Sequence, residues 1–571
     1  MKFRLQHLAI AAAALLFASC NKTNTQGRYI PATAAIAVHI NGKSLSDKLP
    51  WSEIKNNPLF KDAYADSNMT ASVKKLLDNP DNSGIDTKND LEFFIQKDSI
   101  GGYAAFEGSI KDEAAFKTFV TEMTENGTAT EKDGVNYISR FPVCVGWTKE
   151  KFVCVMDAPG LGKMDALSRR MINDSIDISN HQSRDISATC KAVFALEESK
   201  SLGKEKKFSK LLAEKGDVHF WMNSEELNKG IELPAAMAMF NFDKLYKGSI
   251  TTATFNFDNG KITADAHSYA GEELTKLFKK YSGGNVNEDM LKRMPGKDVM
   301  ALIALNFKPE GLRDFLKLTN LDGIINIGAA TLGFTLEDFV KANKGDIMLG
   351  FSDLKLVADT STHAPAENGE GEFIAPQMPK PTFNFIFAAS VGDKDAFNKL
   401  IATGKKLTGT FVNSGALPFA YSSNATYFAL GNSQANTDQY LAGVNSNNAE
   451  LVNQLKGEPM AAYFNLQSII KVFGNEAAKD SSARIVYDAS LKLWDNIKVK
   501  GGNFSDDAMQ QHIEVNLVDK NTNSLKQLNQ YFFTISEMVK EKQKKQKEDI
   551  MAMEDAMGGA DPMPADSTKT K

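Results

Sequence analysis

Ala301-Leu302-Ile303-Ala304-Leu305-Asn306, running on into Phe307-Lys308-Pro309-Glu310-Gly311-Leu312, is the stretch that decides the fold. It is an apolar run of strand length that ends in Asn, followed by a helix start with an apolar residue close behind. A Pro295-Gly296 turn precedes it. Asn suits the junction because its side-chain oxygen accepts from the first free N–H groups of a helix. The pattern recurs in Ile36–Leu45 (IAVHIN-GKSL), Val218–Leu227 (VHFWMN-SEEL) and Met460–Ile469 (MAAYFN-LQSI), behind turns marked by Pro31, by Gly216, and by Gly457 with Pro459. The strand-ending asparagines Asn41, Asn223, Asn306 and Asn465 are therefore read as structural helix caps, not as a ring of ligands.

Each junction is followed by a helical stretch of variable length, two strands and a helix. In the second unit these are SITTATFNFD, GKITADAHSYA and EELTKLFKKY; in the third, GDIMLGFSDL, FNFIFAASV and DKDAFNKLI. Apolar alternation at Phe255 and Phe257, or at Ile513, Val515 and Leu517, marks half-buried antiparallel strands. The spacing of Leu274, Leu277 and Phe278 marks an amphipathic helix. The first and third units carry an extra strand pair, YISRFPVCVGW with KFVCVMD and LPFAYSS with ATYFALGNS; the second and fourth lack it. The chain thus reads as an α+β protein made by tandem duplication. A β-α-β-β-α based half with antiparallel sheets is copied, giving four quasi-repeated units over residues 28–285 and 286–538.

Three segments interrupt this plan. Residues 51–80 and 160–210 read as mostly helical, and Lys204, Lys206, Lys207 and Lys210 form a solvated helix face. Residues 358–382 are rich in Pro, Gly, Ala and Glu and read as a mobile loop. Residues 539–571 begin as a charged extension of the last helix and end in a compositionally disordered tail.

The N-terminus reads as an address. Lys2 and Arg4 precede an unbroken apolar run, Leu8 to Phe17, whose helix would cover about half of a 30 Å hydrocarbon core. That is a secretory leader over residues 1–19 rather than a span. Leu16-Phe17-Ala18-Ser19-Cys20 resembles a bacterial lipobox, which implies lipid attachment at Cys20 and a lipidated tether over residues 20–27. Acyl chains contribute about 0.8 kcal/mol per buried CH₂ and hold a chain on a membrane without a transmembrane helix. Similar bacterial lipoproteins sent to the cell surface carry an acidic run after the cysteine; none follows Cys20, so the resemblance implies the periplasmic face of the outer membrane.

Composition narrows the classes further. Of 571 residues 42% are apolar and 24% charged, with a net charge of −5, values that exclude wholesale disorder and a polytopic membrane protein. The acidic balance argues against a nucleic-acid partner, which needs a concentrated basic surface. Cys144 and Cys154 flank a turn near Thr148 to Lys151. A three-residue loop sets them opposite each other for a cross-strand disulfide, and another register leaves them as buried free thiols; both readings stay open, and Cys190 has no evident mate.

Gly42-Lys43-Ser44 ends like a phosphate-binding loop, but the glycine five places earlier is Ala37. The histidines lack i, i+4 partners, so no metal is expected. His39 and His219 occupy strand positions in the first and second units, from which they could approach each other across a sheet, and are read as core or surface histidines rather than a metal pair. Glu225-Glu226 and Glu272-Glu273 sit at helix starts, where the macrodipole favours negative charge. The 36 phenylalanines outnumber the four tryptophans, which speaks for packing rather than sugar stacking.

The lipobox, IPATAAIAVHINGKSLSDKL, GGYAAFEGSIKDEAAFKTFV, PGKDVMALIALNFKPEGL and the end rich in Met, Asp and Pro together resemble an uncharacterised Bacteroidetes lipoprotein family, a domain of unknown function. The resemblance implies location and class and brings no catalytic residues or cofactor. The leading expectation is a non-enzymatic, envelope-anchored scaffold that meets another envelope protein. The alternative is a lipoprotein that captures a glycan, peptide or lipid in a cleft between the halves.

Overall fold

Strand β1 (Ile36–Ile40) buries Ala37 and His39 and leaves Ile36, Val38 and Ile40 half-buried, the period-2 pattern of a strand with one deeper face. The computed structural model that contains it describes residues 26–57, 71–158, 184–230, 237, 239–357, 379–412, 419–443 and 448–558. The leader, Cys20, most of the 358–382 segment and residues 559–571 lie outside the described residues. Helix and strand are mixed throughout, and the strand pairs are antiparallel. Two compact units are present. The first is drawn from residues up to Ser44, Ala71–Leu233 and Tyr246–Thr254; the second from Leu45–Thr70, Pro234–Leu245 and Phe255–Lys571.

The first unit holds β1, β2 (Leu91–Asp98), β3 (Gly101–Ser109), β4 (Thr130–Lys132), β5 (Val135–Arg140), β6 (Val143–Trp147), β7 (Lys151–Asp157) and β8 (Val218–Asn223). Their order across the sheet is β8-β1-β2-β3-β7-β6-β5-β4. Helix α1 (Glu113–Met123), begun by the Asp112 side chain accepting from Ala115 N, lays Phe116 and Val120 on this sheet. Phe116 meets Phe152 and Trp147 at centroid distances of 5.0 and 6.0 Å, and each such ring contributes about 1.5–3 kcal/mol by leaving water. Helix α2 (Ile186–Phe194) buries Ile186, Cys190 and Val193. Just ahead of it, Arg184 pairs bidentately with Asp98, at 2.6 and 2.9 Å, and through Nε with Asp157 at 2.8 Å, tying β2 to β7.

Strand β9 (Ile250–Asp258) carries the chain into the second unit. There follow β10 (Lys261–Tyr269), β11 (Val299–Asn306), β12 (Asn343–Val357), β13 (Lys380–Val391), β14 (Ala420–Ser423), β15 (Tyr427–Gly431), β16 (Met460–Asn465), β17 (Trp494–Ser505) and β18 (Ala508–Leu517). Their order is β10-β18-β17-β16-β11-β12-β13-β15-β14. Because β10 pairs with β18 over nine residues, β10 and α3 (Glu272–Tyr281) belong to this unit, although sequence spacing put the division near residue 285. Helices α4 (Pro309–Leu318), α5 (Asp322–Leu332) and α6 (Leu336–Ala342) connect β11 to β12. A long helix, α7 (Ser524–Gly558), ends the described chain.

Two expectations change at this level. Cys144 lies opposite Val155, and Cys154 opposite Val145, so the two thiols point to opposite faces and are free. The hairpin closes on two residues, Lys149-Glu150, because Thr148 N donates to Lys151 O at 2.9 Å. That is one residue from the disulfide register, and a one-residue slip flips every side chain. Asn306 ends its strand but caps no helix. Phe307 and Lys308 intervene, and Lys308 stands at the N-cap of α4 with Pro309 just inside. Asn41, Asn223 and Asn465 do cap, accepting from Ser44 N, from Glu225 N and Glu226 N, and from Ser468 N.

Candidate functional site

Two places carry functional potential, one in each unit. In the first, the register of β1 places His39 opposite His219 on one side and opposite Glu92 on the other; Glu92 in turn faces Glu107. All four side chains are buried, each with 4–6% of its surface exposed. In the second unit the corresponding row, two residues before the strand-ending Asn306, reads Ala461, Ala304, Met348 and Ala388. Those four belong to the unit's apolar core. The first unit therefore keeps a polar row where the second keeps hydrocarbon.

The hydrogen bonds fix one proton of the histidine pair. His219 Nε2 lies 3.0 Å from Glu214 O, a carbonyl that only accepts, so this nitrogen carries a proton. His39 and His219 meet Nδ1 to Nδ1 at 3.0 Å, and His39 Nε2 lies 3.0 Å from Gln26 Nε2. With the His219 ring neutral, its Nδ1 accepts from His39 Nδ1 and its Nε2 donates to Glu214 O, while His39 Nε2 lies beside Gln26 Nε2 and, at 3.4 Å, Asp90 Oδ2. Burial holds the His219 pKa below its ordinary value. Gln26 donates to Asp90, and Gly27 N donates to both oxygens of Glu92, at 2.8 and 3.0 Å. Burial first, and the Glu92 carboxylate second, push the Glu107 carboxyl well above the usual range. The segment Gln26–Gly27 thus seats on this row as its polar cover. Among the described residues no group of His, Cys, Asp or Glu is arranged to hold a metal ion.

The second place is an apolar pocket of about 620 Å³ inside the second unit. Helix α3 supplies Leu277 and Phe278, α4 supplies Leu312 and Phe315, and α6 supplies Phe339. Leu305 and Ile347 close the sheet side, with Met460, Phe504 and Met509 from β16, β17 and β18. Lys308, at the exposed start of α4, is the one charged residue of the lining. Gly311 permits the close approach of α4 to α3, since a Cβ there would stand 2.9 Å from the Tyr281 side chain. Tyr281 is fixed in turn by donating to Asp314 Oδ2 at 2.5 Å. That hydrogen bond, with Arg313 and Lys280 beside it, holds the Asp314 carboxyl down at about 2.

Asn306 edges the same pocket with its amide already used. Its Oδ1 accepts from Gly284 N at 2.7 Å and its Nδ2 donates to Asp346 at 2.6 Å. The lining thus offers hydrocarbon contact with few free polar groups, the chemistry of a site for an apolar ligand. Sequence reasoning missed this pocket. Its walls come from elements between residues 277 and 511, and no local pattern joins them.

Comparison with known proteins places the chain in its family and gives no activity. The solved structures it resembles include three crystal forms of TP0453, each 11% identical, with TM-scores of 0.24, 0.23 and 0.20. These matches cover 42–44% of this chain and 79–85% of the other, and a likeness that slight carries no argument. No curated protein matches. The domain of unknown function DUF4836 matches residues 27–366, which take in the polar row and all three of the pocket's helices. The chain therefore belongs to the DUF4836 family.

Proposed function

We propose that this protein is an envelope lipoprotein, tethered through Cys20 at the outer membrane, that holds a hydrocarbon chain in the pocket of its second unit and performs no chemistry on it. The observation that carries this reading is the pocket itself, of about 620 Å³, with Lys308 as its one charged lining residue. A volume of that order suits a small lipid or a single acyl chain. Glycan capture is disfavoured, because a sugar's hydroxyls would find few partners on such walls and would lose their water. The scaffold reading is retained for the protein's polar outer surface.

The same reading includes origin by tandem duplication. What supports it is the matched strand order, β8-β1-β2-β3-β7-β6 beside β16-β11-β12-β13-β15-β14, together with the matched row of His39 and Ala304, each two residues before an Asn. On this view one copy carries a polar row across its sheet and the other a pocket.

Native mass spectrometry of the protein released from its own membranes in mild detergent tests the function. The expected result is a bound mass matching a single-chain or small lipid, lost when Leu312→Trp and Met509→Trp fill the pocket. A ligand-free mass at every detergent energy tested would overturn the reading. Metabolic labelling with a tagged fatty acid, abolished by Cys20→Ser, tests the anchor separately.

A further inference from the structure

We propose that helix α5 is a membrane-docking ridge, through which the pocketed unit rests on a lipid bilayer and exchanges its ligand with it. The inference builds on the pocket reading and names the source of the ligand. From Asp322 to Gly333 the sequence is DGIINIGAATLG, with Asp322 its one charge. A helix this apolar belongs inside a protein, yet this one lies outside. Ile324, Ile325 and Ile327 are 52, 37 and 70% exposed, and Ala329 is its one buried residue. Cβ atoms built on Gly323 and Gly328 would meet nothing within 4 Å.

The exposure is built in rather than a frayed end. Gly333, in the left-handed region at φ 87°, closes the C-terminus of α5. Asn326 Oδ1 accepts from Leu336 N at 3.2 Å, and Thr403 donates to Leu332 O at 3.1 Å. A second apolar segment lies alongside the turn that enters the helix. Met239 O accepts from Asn320 Nδ2 at 3.5 Å, and Met237 and Met239 are 42 and 63% exposed.

The occupant follows from shape, neighbours and charge. The apolar surface wraps a protruding helix instead of lining a groove, so it presents a ridge to insert, the geometry of interfacial helices that sink into the headgroup boundary. Helix α5 packs against α4 and α6, the helices that give Leu312, Phe315 and Phe339 to the pocket wall. Docking α5 therefore brings that wall next to acyl chains. Lys317 and Lys341, exposed in the last turns of α4 and α6, form no ion pair among the described residues and are placed to meet anionic headgroups.

The test uses residues 20–571 with Cys20→Ser, so that no acyl anchor contributes. Flotation with phosphatidylglycerol/phosphatidylcholine vesicles is expected to carry the protein upward. Ile324→Glu with Ile327→Glu is expected to cut the vesicle-bound fraction at least about tenfold, while Ile324→Leu with Ile327→Leu retains it. Both sites are exposed, so the fold tolerates the charges, and an unchanged melting temperature verifies this. Binding of a soluble fluorescent fatty acid is expected to be the same in all three proteins. Absence of flotation, or equal flotation of the Glu variant, overturns the docking surface. So does vesicle-independent dimerisation that the Glu pair abolishes, which would assign the ridge to a second copy. Loss of fatty-acid binding in every variant would instead defeat the pocket reading.

Discussion

His39 and His219 share one hydrogen bond, Nδ1 to Nδ1 at 3.0 Å, which exists only while one ring offers a lone pair. Protonating both would set two N–H groups head to head between buried strands. The His219 pKa is depressed by burial, so the unfolded chain takes up that proton first. Its contribution to stability is fully present above the unfolded value of about 6.5 and declines as pH falls through and below it. Urea unfolding followed by tryptophan fluorescence at pH 5.5 and 7.5 should therefore show the midpoint falling at the lower pH relative to that of a chain lacking both imidazoles. His39→Ala with His219→Ala, which copies Ala304 and Ala461 of the second unit, is that reference chain.

Glu107 pulls the other way. Its folded pKa is raised by burial and by Glu92, so its neutral form is the one the fold accommodates. That stability is complete below the unfolded value of about 4.3 and is lost as pH rises toward the folded value. Glu107→Gln should stabilise the first unit at pH 7.5 by about 1–3 kcal/mol and leave it unchanged near pH 4. A denaturant midpoint measured at both values checks the sign.

Arg184 holds two carboxylates of the first unit, Asp98 and Asp157. Its side chain is 5% exposed and that of Asp157 is 6% exposed. Arg184→Leu would leave a buried carboxylate without a partner, at about 3–5 kcal/mol. Asp157→Asn on that background should recover part of the loss, measurable as a double-mutant coupling in the unfolding midpoint.

The thiols give a chemical count. Cys144 and Cys190 are fully buried, and burial pushes the Cys154 thiol up to about 11. Intact-mass analysis of residues 20–571 with Cys20→Ser, alkylated without reductant, should show no label on the folded chain and three labels after unfolding.

Much of the fold was legible because alternation and turn residues act locally. Val218 to Asn223 reads as a strand, and Asn223 as a cap, from neighbours alone. Asn306 misleads because its neighbourhood looks the same until Lys308-Pro309 delays the helix. The cysteine register turns on one residue of loop length, which Thr148 and Lys151 settle by a single hydrogen bond. The polar row was half legible. His39 and His219 stand out by residue type, whereas Glu92 and Glu107 are ordinary in any strand until the pairing shows them facing each other inside. Glu92 shares its strand face with Phe94, which is fully buried, and that alternation was the available signal.

The central claim is that the second unit's pocket binds hydrocarbon. Titration of the Cys20→Ser chain, residues 20–571, with a naturally fluorescent C18 fatty acid measures it directly. The account predicts saturable binding of one molecule per chain, weakened at least about tenfold by Leu312→Trp with Met509→Trp at unchanged melting temperature. Absence of saturable binding, or equal affinity in the filled variant, would contradict it.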